Sequence, residues 1–321
     1  MSAGRPNSRR HCLWMLTLAL LTAHAASTAG AAEEQAILSR LATKSLLIDV
    51  ARADGRLVAV GEWAHVLLSD DGGASWRQAE SVPTRMTLTD VTFADAKRGW
   101  AVGHDAVVIH TRDGGENWEL QYQAPEEEVP LLSVWFENAE HGLVVGAFGM
   151  LLETTDGGET WRRRPLTSNP EEDYHLNAIF RGPGDTLFIA AESGWIYRSM
   201  DGGNSWERFH PPYEGSFWGG LAVGGEAFLV FGMRGHVFRS EDLGESWQEL
   251  DSGTDQSLQS AIVRADGTVV LVGLGGAVLT SSDGGRTFSA AIEPDRRGIA
   301  AAAEGANGTL LLFGETGVKT R

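Results

Sequence analysis

The feature that most constrains this chain is an eight-residue pattern, Ser/Thr-x-Asp-x-Gly-x-x-Trp, found at Ser69–Trp76, Thr111–Trp118, Thr154–Trp161, Ser199–Trp206 and Ser240–Trp247, and at Ser281–Phe288 with Phe for Trp. Its aspartates, Asp71, Asp113, Asp156, Asp201, Asp242 and Asp283, stand 42, 43, 45, 41 and 41 residues apart. A period of about 40–45 residues is one supersecondary unit per repeat, and four short strands per unit make a propeller blade.

Each position of the box has a physical task. A tight turn between strands needs positive φ, which Gly adopts without a Cβ penalty. Five boxes carry Gly-Gly and the fifth in order carries Leu243-Gly244. The Asp carboxylate accepts hydrogen bonds from N–H groups of its own turn, the Ser/Thr hydroxyl adds another, and the Trp packs between neighbouring blades. A calcium loop would alternate several oxygen ligands over about twelve residues, whereas one carboxylate before two glycines is scaffold. No metal and no cofactor is expected.

Between the boxes strands recur in a fixed order: Leu88–Phe93 alternates, Gly99–Gly103 is an apolar run, Ala106–His110 leads into the box, and Trp118–Gln123 closes the unit. The same order repeats from Leu46, Leu131, Leu176, Trp218 and Leu258. Ile299–Ala303, Leu310–Gly314 and Gly317–Lys319 begin a seventh unit that lacks one strand. The reading is all-β, a seven-bladed propeller of four-stranded antiparallel blades. Counting strands assigns the missing one to Gln35–Thr43, so that N- and C-terminal strands share a blade and remove an exposed edge. Ile37, Leu38 and Leu41 also fit helical spacing, which leaves a short amphipathic helix as the rival.

Residues 1–32 order as Arg5, Arg9 and Arg10, an apolar run from Cys12 to Leu21, and small residues to Ala32. That order reads as a secretory signal cut after Ala25 or near Ala32, and ten apolar positions are too few to span a bilayer. Ser8-Arg9-Arg10 keeps twin-arginine export open beside ordinary secretion. The propeller is then one domain, 33–321. Cys12 is the single cysteine, so the processed chain has no disulfide, which fits a periplasmic protein held by its core alone. Without residues 1–32 the chain holds 23 basic against 43 acidic residues, a balance that repels nucleic acid and anionic lipid. Neither nucleic-acid binding nor direct membrane insertion is expected, and the chain reads as a monomer.

Gly99-Trp-Ala-Val-Gly103 followed by Thr111-Arg-Asp-Gly-Gly-Glu-Asn-Trp118, with its repeats, resembles the photosystem II stability/assembly factor family of Asp-box (BNR-like) seven-bladed propellers and their homologues in non-photosynthetic bacteria. The resemblance covers the processed chain and implies a non-enzymatic, protein-binding assembly factor. The basic patch of the photosynthetic members has no counterpart in a chain with three lysines, which points to a bacterial periplasmic homologue. Such homologues are often found beside exporters of the resistance-nodulation-division class, so the resemblance implies an envelope or membrane protein as partner and points to such an exporter.

Sialidases also carry Asp-boxes, and they supply the enzyme alternative, together with a carbohydrate-binding propeller. A sialidase needs three arginines on the substrate carboxylate, a Tyr–Glu pair and an Asp acid. Tyr122, Tyr174, Tyr197 and Tyr213 have no such context, and Arg181-Gly182-Pro183 resembles the Arg-Ile-Pro opening only superficially. If the boxes turn at one face, the loops joining second and third strands lie at the other, with the blade-to-blade loops 125–129, 169–175 and 210–218. Candidate binding residues there are Trp63, His104, Asp105, Phe148, Glu192, Tyr213, Trp218, Arg234 and Glu315. Trp63, Phe148 and Trp218 have packing as their competing role, His104-Asp105 has acid-base chemistry, and His65, His104 and His236 form a conceivable zinc set.

Overall fold

The apolar runs Arg56–Gly61, Gly99–Gly103, Gly142–Gly146, Leu187–Ala191, Ala227–Gly232, Val269–Gly273 and Leu310–Gly314 are buried almost throughout, because each lies in the middle of a sheet covered on both faces by its neighbours. The computed structural model describes residues 34–167 and 173–321 and places these runs in seven antiparallel sheets. The expected signal at 1–32 and the loop segment 169–172 lie outside the described residues. Each sheet is a blade whose first strand lines a central channel: Leu47–Ala53, Leu88–Phe93, Leu131–Phe136, Leu176–Arg181, Phe217–Gly224, Leu258–Val263 and Ile299–Glu304. Packing is between blades, as in the cluster of Val58 and Leu68 from blade 1 with Val91, Ala101 and Trp118 from blade 2. Phe188 stacks on Phe228 across blades 4 and 5 with centroids 4.3 Å apart.

The boxes are self-satisfied turns, as their residue types require. In the second box the Thr111 hydroxyl donates to Asp113 Oδ1 at 2.9 Å and accepts the Gly115 N–H at 2.9 Å. Asn117 donates its N–H to Oδ1 and its Nδ2 to Oδ2, and Trp118 Nε1 donates to the Gly115 carbonyl. The seventh box position is thus a second clamp on the carboxylate, filled by Ser75, Asn117, Thr160, Ser205, Ser246 and Thr287. In the first box the Ser75 hydroxyl, with the Ser75 amide and the Ser69 hydroxyl, holds the Asp71 carboxyl down to about 2.

Six blades have four strands and the seventh has three, Ile299–Glu304, Leu310–Gly314 and Gly317–Thr320. The closure expected from a strand at Gln35–Thr43 does not form. That segment is held instead along the outer edge of blade 1, where Ala36 N donates to Val82 O at 2.9 Å, Ser39 N to Gln78 Oε1 at 2.6 Å and Arg85 Nε to Gln35 O at 3.0 Å. It then turns tightly at Ala42–Lys44 into the first strand. The ring closes by packing of blade 7 on blade 1: Trp76 meets Phe313 edge-on at 5.6 Å, and Leu57, Ala59 and Leu67 share a core with Ala301 and Leu311.

Candidate functional site

In blades 1 to 6 the second and third strands are joined by two-residue turns with positive φ at both central positions. This is the hairpin turn whose twist matches the flanking strands. The second central residue is Ala64, Ala106, Gly149, Gly194, Gly235 or Gly276; a Cβ at Gly194 would collide with the Tyr213 carbonyl. The first central residues are Trp63 (φ 59°), Asp105 (57°), Phe148 (53°), Ser193 (55°), Arg234 (56°) and Gly275 (62°). Five of the six are not glycine, although left-handed backbone is costly for a side chain with a Cβ. The strain projects large side chains outward: Trp63 is 66% exposed, Phe148 is 52% exposed, and Arg234 is exposed. Strain of this kind collects where function needs it.

The candidate residues divide into clusters. Phe148 stands edge-on to His175 at 4.9 Å, and the His175 amide donates to Glu192 Oε2 at 3.2 Å. Tyr213 is half-buried beneath the Met233–Gly235 turn; its hydroxyl donates to the Met233 carbonyl at 3.0 Å and its ring lies 4.3 Å from His236. It therefore supports the turn that presents Arg234. Glu315 lies 3.5 Å from Arg297. His104 is exposed beside half-exposed Asp105, and Trp63 stands free of both clusters. The three imidazoles do not converge: among the described residues no three His, Cys, Asp or Glu side chains are placed to hold a metal ion. His65 is buried, which lowers its pKa, while His236 Nδ1 pairs with Glu249 at 2.6 Å.

Trp218, which ends the 210–218 loop segment and begins the strand read from sequence, lies in the first strand of blade 5, facing the channel. Every first strand carries a β-bulge near its start, and the bulged residues Ile48, Thr89, Leu132, Asn177, Trp218, Gln259 and Ala300 ring the channel mouth on the same face as the strained turns. The cavity there measures about 450 Å³. Beside the ring runs a ladder that sequence reading missed. Asp49 accepts the Val91 N–H of the next blade at 3.1 Å, Asp90 accepts Val134 N–H at 2.8 Å and the Ser133 hydroxyl at 2.7 Å, and Ser133 accepts Ile179 N–H at 3.2 Å. Burial, then the Asp49 carboxylate beside it, pushes Asp90 well above the usual carboxylate range. The pair ties blades 1, 2 and 3 together, and the polar residues alternating with apolar ones at Asp49, Asp90 and Ser133 were its sequence signal.

Fold and face together define a seven-bladed Asp-box propeller with a variable surface opposite its boxes. The sequence profile of the family described as "Photosynthesis system II assembly factor YCF48" matches residues 74–131 and 121–270, more than half of the chain, and the chain belongs to that family. The photosystem II assembly protein Ycf48 of Synechococcus sp. (strain JA-3-3Ab) is 39% identical over 158 residues, 47% of this chain and 46% of that protein. The chain spans less than half the length of the curated relatives it matches. Among solved structures, "YCF48 bound to D1 peptide" superposes with a TM-score of 0.71 at 19% identity, covering 90% of this chain and 94% of that one. A streptogramin B lyase superposes with a TM-score of 0.73 at 12% identity, covering 90% and 97%. Such low identities show the fold alone, so the lyase carries no argument for catalysis.

Proposed function

We propose that this propeller is a non-enzymatic, exported assembly scaffold that receives an exposed segment of an envelope or membrane protein on the face opposite its boxes. The observation that carries the reading is the set of strained turns that hold Trp63, Phe148 and Arg234 out from a rigid frame. Aromatic and Arg side chains are the residues that dominate protein interfaces when buried by a partner. The family's assembly factors, one of them solved with a bound peptide, support protein rather than small-molecule recognition. Periplasmic location rests on the order of charged, apolar and small residues over 1–32. The finer reading, an exporter of the resistance-nodulation-division class as partner, rests on the resemblance.

A photocrosslinking residue placed at position 63 in the native cell envelope tests the face, with the same residue at position 112 on the box side as control. The expected result is a membrane-protein adduct from position 63 and none from position 112, its mass-spectrometric identity deciding whether an exporter is involved. Adducts from position 112 alone would overturn the choice of face. Cleavage of a chromogenic glycoside, abolished by Glu192→Gln, would overturn the non-enzymatic reading in favour of a glycosidase.

A further inference from the structure

We propose that the open edge of blade 7 is a second binding site, separate from the face above, which takes a short extended segment of a partner protein as its fourth strand and pairs a carboxylate of that segment with Lys44 and Arg297.

In the complete blades the outer part of one blade rests against the box of the next. Glu80 N donates to Glu116 O at 2.8 Å, Trp118 N to Ser81 O at 3.0 Å, Gln121 Nε2 to Gly157 O at 3.0 Å and Arg164 Nη2 to Asn204 O at 2.9 Å. Blade 7 has no such strand, so the first box looks onto a cavity of about 750 Å³ between Trp76, Ser75, Lys44, Arg297, Val318 and Thr320. The cavity occupies the place that an outer strand takes in the other blades.

The edge itself is prepared for pairing. Gly317, Lys319 and Arg321 direct their backbone groups to the strand Leu310–Gly314, as Arg321 N to Leu310 O at 2.8 Å shows. Antiparallel alternation then turns the N–H and C=O groups of Val318 and Thr320 to the open side. Among the described residues no backbone group outside the blade bonds them. Proteins guard such edges with a lysine, a proline or a bulge. Here the lysine is withdrawn, since Lys319 Nζ lies 2.6 Å from Glu293 and 3.1 Å from Asp295, and the positions whose backbone faces outward, half-buried Val318 and exposed Thr320, are both β-branched. An added strand would gain main-chain hydrogen bonds along this edge.

The occupant follows from size and charge. Native outer strands such as Arg77–Gln78 and Glu119–Tyr122 are two to four residues long, so a short segment suffices. Lys44 has no ion-pair partner among the described residues, and Arg297 has Glu315 alone, at 3.5 Å. The cavity thus carries two cations against one carboxylate in a chain of net charge −17, which favours an acidic residue alternating with apolar ones packed on Trp76 and Val318. A second copy fits worse, because its own edge, Gly317–Thr320, brings Lys319 and no acid.

The probe is a labelled, end-blocked Val-Glu-Val-Thr-Val-Glu peptide, with a Glu-to-Lys version as control, titrated into the full chain by anisotropy. Thr320→Pro removes an outward N–H that the sheet does not use, so the melting temperature should hold while binding weakens by about tenfold or more. Lys44→Glu should weaken binding independently of any effect of proline on folding. Hydrogen exchange at Val318 and Thr320 should slow when the peptide binds. Equal binding by wild type and both variants, protection elsewhere, or no binding up to about 1 mM peptide would overturn the proposal. Self-association abolished by Thr320→Pro would overturn the choice of partner in favour of a second copy. None of these outcomes depends on Trp63, so failure here leaves the proposed function standing, and the reverse holds.

Discussion

Trp63→Ala and Trp63→Gly, compared as a pair, test whether the turns of the candidate face are strained for a purpose. At an ordinary strand or helix position Gly is less stable than Ala by about 0.5–1 kcal/mol, because the unfolded chain gains freedom. Trp63 has φ 59° and is 66% exposed, so both variants lose the same modest contact area. They differ in the left-handed backbone, which costs a residue with a Cβ about 1–2 kcal/mol and glycine nothing. Subtracting the entropy of glycine from the relief of strain leaves Trp63→Gly more stable than Trp63→Ala by up to about 1.5 kcal/mol, or up to about 3–6 °C in melting temperature. Gly275 at the equivalent place in blade 6 shows that glycine suits the turn. Both variants should lose partner binding by about thirtyfold if the indole is an anchor worth about 2 kcal/mol. The assay is a paired calorimetric melt with a pull-down of the crosslinked partner. Trp63→Ala melting at or above Trp63→Gly would refute the strain argument, and undiminished binding by both would refute the role of Trp63.

Asp113→Ala removes the acceptor of three hydrogen bonds in an exposed turn; it should cost about 1–2 kcal/mol in a urea melt while crosslinking from position 63 persists. Asp90 has a raised folded pKa, so the fold holds a proton that the unfolded chain releases. That contribution is present below about pH 4 and declines as pH rises toward the raised value. Asp90→Asn, which keeps an acceptor for Val134 N–H, should be more stabilising at pH 8 than at pH 5, and the opposite order in paired melts would reject the proton held on Asp90. His110 is buried against Trp100, with centroids 4.7 Å apart and neither ring nitrogen hydrogen-bonded, and burial lowers its pKa to about 4. A depressed histidine pKa gives stability present above about pH 6.5 and lost on acidification, here by about 2–4 kcal/mol on reaching pH 4. His110→Phe should remove that part of the acid sensitivity, read as the slope of stability against pH.

The blades were legible because the box repeats a chemical demand: Gly at positive φ, an acceptor beside a hydroxyl, and an aromatic between blades all leave residue-type signatures. The seventh box position was equally legible, since Ser, Thr or Asn fills it every time, but its partner is Oδ2, which spacing does not reveal. Closure was misread because strand counting assumes that every blade is complete. The side chains of Gln78 and Arg85 and the carbonyl of Val82 hold the main chain of residues 35–39, and bonds to main-chain groups leave no mark on the types of the residues held. Trp218 reads both as the end of the 210–218 loop and as the start of a strand, and sequence alone does not say which way its ring faces. The bulge that turns its ring into the channel is a property of backbone register. The Trp63 turn had a signal in Gly149, Gly194, Gly235 and Gly276, the second central residues of its counterparts, from which positive φ at the preceding position follows.

The polar ladder and the open edge belong to one physical argument. Asp49, Asp90 and Ser133 each reach across a seam of the ring, and Asn177 Nδ2 adds a bond to the Phe217 carbonyl at 2.7 Å, so blades 1 to 5 are joined in series near the channel. At the register of those ladder residues blades 5 to 7 carry Gly219, Ser260 and Ala301, two of which have no polar side chain to extend the series. The seam between blades 7 and 1 closes instead through Trp76, Phe313 and Leu311, and blade 7 brings one strand fewer to it. Among the described residues, polar bonds cross this seam only away from the channel mouth, from the Ala306 N–H to the Gly72 carbonyl at 2.9 Å and from Arg52 to the Glu304 carbonyl, and the seam has neither a ladder near the channel mouth nor an outer strand from blade 7. A strand added at the Gly317–Thr320 edge would bury Val318 against Trp76 and stabilise the closed ring, coupling occupancy of blade 7 to the rigidity of the frame that holds Trp63.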